Sequence, residues 1–350
     1  MRALDTKHSL TQKPVFYFKV EVFSPVFLLP SLKKSGHLEQ IQMTVGIVGS
    51  RKLEDEDPGS QGWNIFSPHL TIYGFDADVD ACNKMNAELE SRQVEWREKH
   101  IPLALWNAPG KATLYINKDP GSSSLYPPNE SYIQRYMINS LHMELVSRVE
   151  VEVTTLDSFC QAEKIDEIDF LQLDVQGAEL RVLQGASRLL EDSVLAIKVE
   201  VEFTRLYKNQ PLFSDVDVYL RNQGFTLFDL TNMQRDYRRS SPIFSPAHPG
   251  LLIWADAFYF RDLIQGDCST HLKTPERILK LACIADALNF TDYAVELLEY
   301  LTLRYGNDRN YNFADHIIEL LLQCPEVVEQ GLDSLPIVTR IRNYANRYNV

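Results

Sequence analysis

Positive charge is in short supply. The 350 residues hold 35 Lys and Arg against 48 Asp and Glu, a net charge of −13. That balance opposes binding to nucleic acid, which rests on neutralising phosphates with basic side chains. One local basic group, Arg235, Arg238 and Arg239, runs against the trend. It reads either as a ligand site or as a solvated loop. Cysteine is scarce too. Five residues (Cys82, Cys160, Cys268, Cys283 and Cys324) are odd in number, widely spaced and without a CxxC pair. This excludes a disulfide framework and a zinc site of the usual spacing, and suits a reducing, cytoplasmic setting. No apolar run reaches the roughly 18 residues that a membrane helix needs. Val15 to Leu29 comes nearest, but Lys19, Glu21 and Pro25 interrupt it, so neither a membrane partner nor a signal peptide is expected. A strand followed by GxGxxG and a helix is missing, which disfavours a nicotinamide oxidoreductase. With no His/Cys cluster either, no metal site is expected. Asp174, Glu200 and Glu202 could bind Mg²⁺ in principle, but three acids near strand ends are not a metal signature.

Against these gaps stands a 45% hydrophobic content, enough for a sizeable core. One stretch, Ile165 to Gly185, organises the chain. Ile168 to Leu173 is a short apolar run suited to a strand buried on both faces. Asp174 ends it, and Gln176 and Gly177 permit a tight turn. Leu180, Leu183, Ala186 and Leu190 then recur at helical spacing. In open α/β sheets, ligands sit beyond the carboxyl ends of such strands, where Asp174 falls.

Read on through Val199-Glu200-Val201-Glu202-Phe203 and Gly224-Phe225-Thr226-Leu227-Phe228, this stretch resembles the FkbM family of S-adenosylmethionine-dependent methyltransferases. The similarity runs from about Thr44 to Phe260. It implies an α/β fold: a doubly wound, mostly parallel seven-strand Rossmann-like methyltransferase sheet, with two late strands and a reversed edge strand. It also implies S-adenosylmethionine as cofactor and transfer of a methyl group to a hydroxyl of a sugar or secondary metabolite. The alternative is a non-catalytic relative with a degenerate cofactor loop.

The remaining motifs carry the candidate site. Ile41 to Ser50 reads as a strand ending in Gly46 and Gly49, where a missing Cβ lets backbone approach a ligand. An ordinary strand-to-loop turn presents the same pattern. Thr44 stands where the family's acid would fall, and Arg51 to Pro68 shows no helical stripe. Leu70 to Phe75 is the next strand, with Asp76 at its tip. An acid there accepts hydrogen bonds from a ribose diol in such folds, and the resemblance gives Asp76 that role; capping the following helix is the competing role, assigned to Asp78 or Asp80. Ile101 to Trp106 is a third strand ending at Asn107, placed by the resemblance beside the adenine or else a turn starter before Pro109-Gly110. The Gly/Ser/Pro segment from Asp119 to Pro128 resembles the family's insertion after the third strand and is a candidate lid over the acceptor. Removing a proton from an acceptor hydroxyl calls for a base: Asp174 first, then Glu179 and Glu202, with His142 weaker. Lys198, Glu200 and Glu202 share one face of the Ser193 to Phe203 strand, which is wet at a sheet edge, internally paired, or part of a site.

Three segments are expected: an N-terminal extension (1–40), holding a possible strand from Val15 to Phe23, a methyltransferase-like α/β unit (41–264), and a helical C-terminal unit (265–350). The last opens with a Thr274 cap and Pro275 at the first helical position. Its helices are read at Ile278 to Leu288, Tyr293 to Leu303, Phe313 to Cys324 and Ile337 to Tyr348. Their apolar stripes serve a core, and they either cap the sheet or build a homodimer. The expected partner is a small-molecule or glycan acceptor.

Overall fold

The structure is a computed structural model that describes residues 28–51, 62–265 and 271–345. The strand expected at Val15 to Phe23, Cys268, residues 52–61 of the first crossover and the last residues of the final helix read lie outside the described residues. Among the described residues, ten strands form two sheets. The larger is built from β1 (Met43–Val48), β2 (Leu70–Asp76), β3 (Arg97–Pro102), β7 (Phe170–Leu173), β8 (Ala196–Glu202), β9 (Thr226–Asp236) and β10 (Leu251–Phe260). Its order is β3-β2-β1-β7-β8-β10-β9. Pairing is parallel throughout except that β10 runs antiparallel to both β8 and β9. A smaller sheet, β4 (Ala104–Leu105), β5 (Gly110–Asn117) and β6 (Leu145–Thr154), stands beside it in the order β4-β6-β5.

The seven-strand, mostly parallel α/β sheet is as expected, with two differences in detail. The reversed strand is not at the edge. An interior strand must cover both faces, and β10 does so: Ile253, Ala255, Ala257 and Tyr259 are buried and the residues between them half-buried. β9, mostly half-buried or exposed, takes the edge instead. The third strand also begins earlier, at polar Arg97, and stops at Pro102. Proline has no N–H for the ladder. The chain turns at Leu103, and Ala104–Leu105 joins the second sheet.

Alternation along the strands sends two sets of side chains to opposite faces. Met43, Val45 and Ile47 of β1, Leu70 and Ile72 of β2, Phe170, Ala196 and Phe260 share one core with the C-terminal helices. Those helices are Pro275–Ala287, Thr291–Tyr305, Ala314–Leu321, Pro325–Gln330 and Pro336–Ile341, and Thr274 caps the first by accepting the Arg277 N–H. Leu281, Leu297, Leu301 and Ile317 are wholly buried there. Each such side chain contributes about 1.5–3 kcal/mol relative to exposure, so the helical segment covers the sheet rather than standing apart. A buried ion pair fixes it: Lys280 Nζ lies 3.0 Å from Asp169 Oδ1, at the start of β7. On the other face Leu171, Leu173, Ile197, Val199 and Val201 pack on Leu156–Glu163, Glu179–Gln184, Ser187–Asp192 and Phe213–Asn222. The single helix read after Asp174 is two short ones. Gly185, between them, lies so close to Trp106 that a Cβ would stand 2.1 Å from its carbonyl oxygen.

Candidate active site at the strand tips

The turn after β7 is the most constrained part of the site. Asp174 extends the ladder, its N–H donating to the Val48 carbonyl at 2.9 Å, and its side chain is exposed. Gln176 and Gly177 follow with φ of +57° and +92°, which reverses the chain within three residues. Glu179 secures this reversal. Its Oε1 accepts the backbone N–H groups of Val175 at 2.8 Å and Gly177 at 3.2 Å. Gly49, at the tip of β1, has φ +83°, and a Cβ there would stand 1.8 Å from the Asp174 carbonyl oxygen. A side chain at this position would push the tips of β1 and β7 apart.

At the tip of β2, Asp76 Oδ1 accepts the Asp78 N–H at 2.8 Å and Oδ2 accepts the Arg51 N–H at 3.1 Å. Burial, as the largest cause, raises its carboxyl above the ordinary value, and the Arg51 charge opposes the rise. A carboxylate offers about four acceptor positions, so two bonds leave room for a ligand diol. Capping of the helix Val79–Arg92 falls to Asp78, whose side chain accepts the Ala81 N–H. The Arg51 guanidinium also pairs with Asp78.

Between these tips opens a cavity of about 590 Å³, a size typical of small-molecule sites. Gly49, Asp76 and Asp174 all line it. An apolar wall of Val48, Phe75, Leu103 and Leu105 lies on one side, and the Pro120–Leu125 segment on another. The other expected site residues stand elsewhere. Gly46 is inside β1, paired with Tyr73 and Leu171, where a Cβ would meet Leu171 Cδ1 at 3.0 Å; close packing explains it without a ligand. Asn107 is exposed in the turn after β4 and does not line the cavity, because the chain has already left the main sheet at Pro102. Glu179 and Glu202 are buried behind the wall, 2% and 4% exposed. His142 is exposed, 3.3 Å from Asp119. Arg238 lies over the Tyr136 ring, and Arg235 reaches the Gly250 carbonyl. Thr44 sits near the start of β1, where its N–H donates to Asp169, far along the strand from the cavity end.

Behind Asp174 lies a carboxylate cluster. Ligand oxygens of Asp174, Glu179 and Glu200 are within 4.8 Å of one another. β8 is interior, so its acidic face is dry rather than wet, and Lys198 pairs with Asp256 at 3.1 Å instead of with its glutamates. Burial first, then Asp174 and neighbouring glutamates, hold Glu200 well above the usual carboxylate range. Burial and Glu179 do the same to Glu202, and burial pushes Glu179 up to about 7. Gln176, read only as a turn residue, and Tyr207 also belong here; the glutamine inside the central motif was the available signal.

The cavity sets apolar side chains next to a carboxylate with two acceptor positions to spare. Residues 68–227 match the profile of the methyltransferase FkbM domain. No curated protein matches the chain. Among solved structures, an FkbM methyltransferase from Methylobacillus flagellatus KT is similar at 11% identity and TM-score 0.35, over 63% of this chain and 43% of that one. The chain therefore spans less than half the length of that relative. M. capricolum TrmK in complex with S-adenosyl-homocysteine is similar at 8% identity and TM-score 0.31, over 89% and 95%. A SAM dependent methyltransferase from Aquifex aeolicus follows at 10% identity and TM-score 0.25, over 67% and 91%. No conclusion about substrate follows from likenesses this remote. Among the described residues no helix is long and apolar enough to cross a membrane.

Proposed function

We propose that this protein is an FkbM-type, S-adenosylmethionine-dependent O-methyltransferase that methylates a hydroxyl of a sugar or secondary metabolite. The observation that carries the reading is one cavity lined by both Asp76 and Asp174, at the tips of β2 and β7 on either side of β1. When bound, S-adenosylmethionine supplies a methyl group made electrophilic by its sulfonium. Asp76 holds the ribose hydroxyls, and Val48, Phe75, Leu103 and Leu105 flank the adenine. Asp174, the one carboxylate of its cluster that reaches the cavity, takes the proton of the acceptor hydroxyl. The hydroxyl-rich Pro120–Leu125 segment screens the acceptor from water. In-line displacement gains most from such alignment. A net charge of −13 favours a small or glycan acceptor over nucleic acid.

The non-catalytic alternative expects a pocket that is blocked or lacks affinity; the open cavity speaks against the first, and a binding measurement decides the second. Tritium transfer from labelled S-adenosylmethionine to a carbohydrate and natural-product library tests the reading, with calorimetry of S-adenosylhomocysteine beside it. Binding together with transfer to a hydroxyl is expected. No binding at millimolar concentration would overturn the proposal.

A further inference from the structure

Gln176 bridges Asp174 and the Pro120–Leu125 segment. The side-chain Nε2 donates to Asp174 Oδ1 at 2.8 Å and to Glu200 Oε1 at 2.9 Å, which uses both of its hydrogens. A reversed amide would set its oxygen against the same two acids, so the partners fix the orientation. The Gln176 main-chain carbonyl accepts the Ser124 hydroxyl at 2.7 Å. Its Oε1 lies 3.1 Å from the Tyr207 hydroxyl, which also lies 2.7 Å from the Ser122 carbonyl. Tyr207 is 1% exposed, and its one proton serves two acceptors, one in the 120–125 segment and one in the turn after β7. Left-handed backbone at a non-glycine residue persists only where the surroundings over-determine it; these bonds are those surroundings.

We propose that Gln176 is a positioning residue that holds Asp174 toward the acceptor and, through Tyr207 and Ser124, ties the seating of the 120–125 segment to the orientation of that carboxylate. When the Tyr207 proton goes to Ser122 the segment is held. When it goes to Gln176 the amide is braced and the segment loses one anchor. Seating of the acceptor is thereby sensed at the base. The part concerning the base rests on the O-methyltransferase reading; the tie between segment and turn does not.

Three variants test it. Gln176→Gly keeps the positive φ and deletes the amide. Gln176→Asn keeps the backbone tolerance and shortens the reach. Tyr207→Phe removes only the shared proton. In Gln176→Gly, kcat is expected to fall about 10–100-fold, as misplacement of a reacting group does, with S-adenosylhomocysteine affinity within about threefold and the basic limb of the pH–rate profile displaced. Gln176→Asn recovers little, because the reach and not the backbone matters. Tyr207→Phe raises the acceptor KM more than it lowers kcat. Backbone amides of the 120–125 segment exchange about tenfold faster in Tyr207→Phe, the loss of one hydrogen bond, and no faster in Gln176→Gly, where the whole Tyr207 proton passes to Ser122, while those of β1 and β7 do not change. Unaltered kcat and pH profile in Gln176→Gly overturn the positioning role. Unaltered exchange in Tyr207→Phe, or faster exchange in Gln176→Gly than in Tyr207→Phe, overturns the tie. A wild-type protein that binds S-adenosylhomocysteine yet methylates no hydroxyl removes the base role of Asp174, and the exchange measurement still decides the tie.

Discussion

Lys280→Met separates the helical cap from the sheet electrostatically while keeping most of the side-chain volume. Lys280 is 4% exposed and Asp169 2%. Asp169 Oδ1 faces Lys280 Nζ at 3.0 Å, and Oδ2 accepts the Thr44 N–H at 2.8 Å. Glu167, 3.6 Å from the same ammonium, keeps Arg277 as a partner at 3.1 Å and is half exposed. The cost therefore falls on Asp169, left buried with one backbone donor. Breaking a buried pair in this way costs about 3–5 kcal/mol at neutral pH. Burial already holds the Asp169 carboxyl above its ordinary value, with Lys280 the largest opposing cause. Removing Lys280 raises it further. A carboxyl raised in the folded state contributes stability below its unfolded value and loses it as pH rises through the folded value. The variant should thus lie nearest wild type at about pH 4 and furthest at about pH 8. Denaturant midpoints of wild type, Lys280→Met, Asp169→Asn and the double variant at both pH values check this, and the double variant should recover part of the loss. A deficit under about 0.5 kcal/mol at pH 8, the size of an ordinary surface change, or one that grows toward acid, would refute the argument.

Three further outcomes follow from the site. Asp76→Ala removes charge-assisted bonds worth about 1.5–3 kcal/mol, so S-adenosylhomocysteine affinity measured by calorimetry should weaken about 10–150-fold. Asp174→Asn should lower the methyl-transfer rate about 10²–10⁴-fold with cofactor affinity nearly unchanged; single-turnover kinetics with labelled donor reads it, and an undiminished rate assigns the base elsewhere. The glutamate cluster makes the protein lose stability as pH rises from about 5 through 7, because Glu179, Glu200 and Glu202 are all raised and Glu179 reaches about 7. Glu200→Gln should flatten the thermal midpoint across that range, and an equal slope would show that the cluster does not titrate there.

What the sequence alone determined is local. Apolar runs ending in an acid placed the tips of β2 and β7, and so Asp76 and Asp174. The cap Thr274-Pro275 placed the start of the helical segment. Each needs only neighbours along the chain: hydrophobic period, capping chemistry and turn residues. Pairings between distant residues were decided by tertiary structure. Thr44 and Asp169 are 125 positions apart, and only their meeting moves Thr44 away from the cavity. Glycine in a strand tip does not say whether it makes room for a ligand or for a neighbouring strand; the Asp174 carbonyl settles this for Gly49, and Leu171 for Gly46. Charged residues on alternate positions of β8 look the same whether the strand is an edge or an interior one. Strand order put them inside, where burial raised their affinity for protons and gathered them beside Asp174, the one acid of their cluster that lines the cavity.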